Sequence, residues 1–127
     1  MDHASAQRWL DAYAHAWLTY DPEEIGALFT EDAVYHYDPF TEPLHGRDAI
    51  VASWLDEDAR DPAGTYNGYY EPVLVAGDRV VANGRSRYFE ADGTTLKAEY
   101  DNLFLLRFAE DGRCAEYREW YMRLPKQ

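Results

Sequence analysis

Apolar and aromatic residues recur at helical spacing over the first third of the chain. Trp9, Tyr13, Trp17 and Tyr20 follow one another at intervals of four and three, which lays one aromatic stripe along a helix, with Leu10, Ala14 and Leu18 flanking it. The pattern predicts that this helix stops near Tyr20. Asp21-Pro22-Glu23-Glu24 then starts a second one. Asp21 caps the free amides, Pro22 suits the first helical position, and Glu24 completes a capping box. Ile25, Leu28 and Phe29 form the buried edge of that short helix. Asp32 to Asp38, rich in Val and Tyr, predicts a strand, and Pro39 to Gly46 a loop. A third helix begins near Arg47, with Ile50, Val51, Trp54 and Leu55 inward. Asp56-Glu57-Asp58 reads as its solvated end, and Asp61-Pro62-Ala63-Gly64 breaks it.

Beyond residue 64 the period changes from helical to alternating. Gly77-Asp78, Asp92-Gly93 and Asp111-Gly112 each lie between β-rich runs and mark tight turns. They divide the remainder into four long antiparallel strands, 65–76, 79–90, 95–108 and 113–123. Each strand has one buried and one more exposed face. The fold class is therefore α+β: three N-terminal helices packed on a strongly curved antiparallel or mixed sheet. A bent sheet whose covering helices do not fill its concave side holds a central pocket. No repeat, low-complexity tract or linker interrupts the chain, so residues 1–127 read as a single domain.

Composition narrows what such a pocket takes. Aromatic residues make up 16% of the chain, with 11 Tyr and 4 Trp. That is more aromatic surface than a small core needs, and amphipathic rings suit the walls of partly wet cavities. The formal net charge is −12. An acidic surface repels phosphate backbones and anionic membranes, so neither nucleic acid nor a membrane is expected as a partner. A neutral or cationic small molecule is electrostatically easier than an anionic one, although net charge says little about a shielded pocket. Cys114 is the only cysteine, which excludes an intramolecular disulfide and fits a cytoplasmic location. Neither a signal pattern near Met1 nor a long apolar span is expected to route the chain elsewhere.

Four motifs are similar to those of a known family. They are Ala27-Leu28-Phe29-Thr30-Glu31-Asp32-Ala33, Glu42-Pro43-Leu44-His45-Gly46-Arg47-Asp48-Ala49-Ile50, Phe104-Leu105-Leu106-Arg107-Phe108 with Asp111-Gly112-Arg113, and Tyr117-Arg118-Glu119-Trp120. Together they resemble the SnoaL-like branch of the nuclear transport factor 2-like superfamily, the cone-shaped α+β barrel. The resemblance spans nearly the whole chain. It implies a homodimer formed through the sheet. It does not specify a reaction, because the superfamily holds isomerases, cyclases, epoxide hydrolases, dehydratases and non-enzymatic members.

Candidate site residues follow partly from that resemblance. Asp38-Pro39 after a strand resembles the Asp-Pro at which ketosteroid isomerase places its proton-shuttling carboxylate, and His36 is the neighbouring acid/base candidate. Desolvated among rings, such a carboxylate becomes a general base. The alternative is that Asp38 only starts a turn. Strand alternation leaves two registers open: His36 and Asp38 face the pocket, or Tyr35 and Tyr37 do. A bulge would reconcile the two ends of the strand. Tyr13 matches the hydrogen-bond donor of that isomerase, or packs in the core as part of the stripe. Where the isomerase has a second Asp, this chain has Phe104, so the oxyanion pair is incomplete.

The resemblance turns Tyr100, Asn102 and Phe104 inward on one strand and Tyr117, Glu119 and Tyr121 on the next. Trp9, Trp17 and Trp54 complete the substrate-binding set. An inward Glu119 needs a partner, from Tyr100 or Asn102; the alternative pairs it with Arg85 or Arg87 outside any site. His36, Asp38 and His45 do not form a metal motif. Neither a phosphate loop nor a nucleophile elbow is present, so no metal and no cofactor are expected. Two functions remain: a cofactor-independent isomerase, cyclase, hydrolase or dehydratase using acid/base chemistry on a small apolar or aromatic molecule, and a non-catalytic ligand-binding or dimerisation module.

Overall fold

The computed structural model describes residues 1–58 and 60–125. Helix α1 runs His3–Thr19, opened by the Asp2 carboxylate accepting from the Ser5 amide and closed by Tyr20 in the left-handed conformation. Helix α2, Pro22–Ala27, is capped by Asp21 accepting from the Glu23 amide. Glu24 does not complete the expected capping box. Its Oε2 instead accepts from Thr19 Oγ1 at 2.6 Å and contacts His15 Nδ1 at 3.1 Å, which ties α2 back to α1. Strand β1 is Phe29–His36, β2 is Leu44–His45, and helix α3 is Arg47–Trp54. Four long strands follow: β3 Tyr66–Ala76, β4 Arg79–Phe89, β5 Leu96–Phe108 and β6 Cys114–Arg123.

All six strands form one mixed sheet in the order β2-β1-β6-β5-β4-β3. The pairings are antiparallel except β1 with β6, which is parallel. Strand β1 begins at Phe29 rather than Asp32. Phe29 is fully buried and pairs with Cys114, so it starts the sheet instead of ending α2. The β1–β6 register then shifts between Phe29 and Val34. Phe29, Ala33 and Tyr35, of one parity along the strand, are all buried on its inward side.

The core lies between the stripe of α1 and the concave face of the sheet. Trp9, Tyr13 and Ala16 of α1 are buried there with Ile50 and Trp54 of α3, Phe104 and Leu106 of β5, and Tyr117 of β6. Trp9 donates its indole N–H to the Leu28 carbonyl at 2.9 Å, so its one polar atom is satisfied inside the core. No helix among the described residues is long and apolar enough to cross a membrane.

Candidate functional site

The concave face has a depth scale written into its register. Because opposed residues of antiparallel strands share a face, the pairs Leu106–Tyr117, Phe104–Glu119, Asn102–Tyr121 and Tyr100–Arg123 rise in order from the core toward one end of the sheet. The helices fill the lower part of this concavity with Phe104, Tyr117 and Tyr13. Above them a cavity of about 530 Å³ remains open. Its floor carries Asn102 and Glu119. Its walls are Tyr35, Tyr37, Tyr100 and Tyr121 from the strands, with Trp17 and Trp54 stacked on each other at 3.9 Å from α1 and α3. Tyr20, Tyr88, Arg60, Asp61, Lys97 and Arg123 complete the lining together with Ser53, Ser86 and Ala98.

Glu119 is the floor's ionisable group. Its Oε1 accepts from the Tyr117 hydroxyl at 2.6 Å and its Oε2 from Asn102 Nδ2 at 2.7 Å. Each donor is itself held from behind. Tyr13 and Tyr117 share a hydroxyl contact of 2.7 Å; since Tyr117 donates to Glu119, Tyr13 donates to Tyr117. Ser86 Oγ donates to Asn102 Oδ1 at 2.9 Å, which turns the amide nitrogen toward the acid. Two chains of donors therefore converge on one carboxylate. Desolvation pushes the Glu119 carboxyl above its ordinary range, and the hydrogen bonds from Tyr117 and Asn102 oppose that rise. Burial, followed by the field of Glu119, drives the Tyr13 and Tyr117 phenols far above theirs, so both remain neutral donors. A carboxylate oxygen has two lone-pair positions, so each Glu119 oxygen keeps one for a ligand.

Glu119 does not pair with Arg85 or Arg87. Those guanidiniums point to the other face, where Arg85 meets Asp101 at 2.8 Å and Arg87 meets Glu99 at 2.6 Å. Tyr35 on β1 and Tyr37 just past its end line the cavity, while His36 and Asp38 are not among its lining residues. Asp38 is corrected to a turn-former. Its Oδ1 accepts from the Phe40 and Thr41 amides at 2.7 and 2.8 Å, and its Oδ2 from Thr41 Oγ1 at 2.6 Å. Those bonds hold its carboxyl below the ordinary range, the wrong direction for a base at neutral pH. His36 lies on the opposite side of β1 from Tyr35, paired in register with Arg118. Partial burial and then Arg118 lower its pKa.

Trp9, Tyr13, Phe104 and Tyr117 are likewise corrected from lining to core. They are buried beneath the floor, with Tyr13 packed against Phe104 and Tyr117. Tyr13 and Tyr117 still reach the cavity's chemistry through their hydroxyl chain to Glu119. The structure brings Trp17, Tyr35, Tyr37, Trp54, Tyr100, Asn102, Glu119 and Tyr121 together around one space. Sequence reasoning missed Ser86, whose signal was its alternation with Tyr88 on β4. It also missed Arg60, Lys97 and Arg123, which carried no signal beyond their place near strand or helix ends.

The indole N–H of Trp54 is buried beside the Tyr35 hydroxyl and makes no well-formed hydrogen bond among the described residues. A buried donor left without a good partner costs about 1–3 kcal/mol.

Many solved structures share this architecture, among them the following three. One is a hypothetical protein with a ketosteroid isomerase-like fold from Catenulispora acidiphila DSM 44928, in complex with trimethylamine. It has TM-score 0.66 and 22% identity over 89% of this chain and 84% of that one. The second is an LEH-like epoxide hydrolase of M. tuberculosis, with TM-score 0.67 and 16% identity over 94% and 84%. The third is an NTF-2 like protein of unknown function from Burkholderia xenovorans LB400, with TM-score 0.71 and 14% identity over 98% and 88%. At these identities the likeness shows the fold. No functionally curated protein matches the chain in sequence. The SnoaL-like domain model matches residues 7–117, most of the chain, and the protein belongs to that SnoaL-like family.

Proposed function

We propose that the chain is a cofactor-independent enzyme that moves a proton on a small apolar or aromatic molecule, with Glu119 as the acid/base. The observation that carries this reading is the converging donor network around Glu119 at the floor of an aromatic cavity. A general base works best with a pKa drawn toward the operating pH, and desolvation draws Glu119 that way. Tyr35, on the wall of the same cavity, is the neutral donor for negative charge that develops on the substrate. Tyr13 and Tyr117 act as positioning residues through Glu119. The neighbours with an epoxide hydrolase description and with bound trimethylamine support a small-molecule pocket.

Ring opening of 5-nitrobenzisoxazole tests the base directly. The carboxylate removes the ring C–H proton, that electron pair closes a nitrile, the N–O bond breaks, and a phenolate leaves. We expect the protein to accelerate this opening and Glu119→Gln to lower the rate by about 10²-fold or more, the usual contribution of a positioned base. Asp38→Asn leaves it unchanged. A wild-type rate no higher than that of acetate buffer at equal carboxylate concentration removes Glu119 from this role, and the non-catalytic binding module becomes the reading. We also infer that two copies pair through the outer face of the sheet, where Leu103, Trp120 and Met122 are exposed.

A further inference from the structure

The cavity is polarised along its depth. Of the twelve basic residues in a chain of net charge −12, three line this one space: Arg60, Lys97 and Arg123. They gather at the end away from Glu119. Arg123 follows Glu119 and Tyr121 on the same face of β6 and pairs in register with Tyr100. It lies four residues beyond Glu119, about 13 Å along β6 at 3.3 Å per residue. Lys97 is already held by Asp61 at 2.8 Å. Arg60 and Arg123 have no carboxylate within ion-pair distance among the described residues. The Arg60 guanidinium lies 5.6 Å from the centre of the Tyr20 ring, and Arg123 makes a long contact of 3.4 Å to the Lys97 carbonyl. Among the other strand arginines, Arg85, Arg87 and Arg118 each face a carboxylate, while Arg79 and Arg107 face none among the described residues.

We propose that the ligand is an elongated organic carboxylate, its anionic end held at the mouth by Arg60 and Arg123 and its apolar body lying among the aromatic walls toward Glu119. This rests on the acid/base reading above for the event at the floor, and on the mouth for recognition. Two guanidiniums match a carboxylate in planar geometry, and both sides of the pairing carry charge. A protein otherwise strongly acidic attracts anions poorly, so a local pair of unmatched cations selects an anionic group that the bulk surface repels. The Tyr and Trp rings between floor and mouth exclude a second charge, which sets the body of the ligand as apolar. The gap between Glu119 and Arg123 sets its length.

The test is a matched series measured by calorimetry: 3-(2-naphthyl)propionate, its carboxamide, and 3-(2-naphthyl)propylamine. We expect the carboxylate to bind about ten-fold tighter than the carboxamide, within reach of a partly exposed charge-assisted contact. The amine is the weakest of the three. In the Arg60→Gln/Arg123→Gln double variant, both of whose altered side chains are exposed, carboxylate and carboxamide bind alike. Equal affinities in the wild type (including no binding of either), a preference for the amine, or a carboxylate preference that survives in the double variant would each overturn the proposal. The two readings fail separately. Nitrobenzisoxazole opening needs no anion, and the naphthyl series needs no turnover.

Discussion

Glu119 is held in two opposing ways, and the balance has a sign that can be read in stability. Its hydrogen bonds from Tyr117 and Asn102 favour the carboxylate, while desolvation favours the acid and wins. The folded pKa therefore lies above the unfolded value of about 4.5. Between those two values the folded protein keeps a proton that the unfolded chain has released, so stability falls as pH rises through the window. The penalty is absent below the unfolded value and complete above the folded one. Asp38, Asp92 (drawn down to about 2) and Asp101 run the other way, contributing stability that is lost as pH falls through their folded values. Those groups are the same in wild type and Glu119→Gln and cancel in the difference. Denaturant unfolding at pH 4.5 and pH 7 should then show wild type losing ground to Glu119→Gln as pH rises. A difference that stays constant means that the Glu119 carboxyl titrates at its ordinary value. At this scale the sequence was only half legible. The family resemblance placed Glu119 inward, but nothing local distinguished a network of four donors behind it from an outward pair with arginine. Asp38 misled because Asp before Pro carries the same letters whether it caps a turn or serves a pocket. Only Thr41, two residues beyond that proline, supplies the hydroxyl and amide that settle which it does.

Elements were more legible than residues, because periodicity reports burial over many positions at once. The aromatic stripe of α1 and the three Gly-containing turns gave α1 and the four long strands within one residue of their observed ends. Helix α3 ends at Trp54, short of the expected solvated end at Asp56-Glu57-Asp58, and the expected loop from Pro39 to Gly46 contains the short strand β2. The boundary between α2 and β1 also failed. Phe29 suits an apolar helix edge and a strand start equally, and a long-range pairing with Cys114 decides between them. Tyr35 and Tyr37 share the parity of the buried Phe29 and Ala33, so the choice over His36 and Asp38 rests on where β1 begins, which the same long-range pairing fixes. Strand β4 carries a further constraint of this long-range kind. Gly84 faces inward opposite Tyr70 on one side and Asn102 on the other. A methyl group there would overlap the Tyr69 carbonyl oxygen and the Tyr70 ring. The first is backbone and cannot swing away. Tyr70 is also pinned, by its hydroxyl contact to Tyr66 and by its edge-on packing with Phe104. Gly84→Ala should cost about 1–3 kcal/mol, as overpacked cores do, and should weaken ligand binding by moving Asn102. Thermal unfolding measures the first effect and the naphthyl series the second. A variant as stable as wild type would mean that β3 slides relative to β4 at little cost.

For the molecule as a whole, one sheet serves two surfaces. Its concave side is closed by the helices and the cavity. Its convex side is bare at the centre, where Leu103 pairs in register with Trp120, and Met122 lies opposite Asp101. Trp120 and Leu103 are about two-fifths exposed and Met122 three-quarters exposed. Around them the convex face is charged but internally matched: Arg85 bridges Asp101 and Glu99, and Arg87 meets Glu99. An apolar centre ringed by neutralised ion pairs is the anatomy of an association surface, since the ring need not be desolvated unpaired. A monomer of net charge −12 gains little from hydrophobic contact if like charges face one another, and here Arg85, Arg87, Glu99 and Asp101 beside the apolar centre are paired with one another. Two copies related by a two-fold axis would set each Trp120 near the other's apolar centre, an isologous arrangement. Sedimentation should therefore give a dimer at micromolar concentration, and Trp120→Glu should give a monomer by burying an unpaired charge. The same variant separates the two surfaces. Trp120 faces away from the cavity, so a monomer that still opens nitrobenzisoxazole shows that each copy carries a complete site. A monomer that loses this activity, with its helical and strand signals intact, shows that pairing holds β5 and β6 in the register on which Asn102 and Glu119 depend.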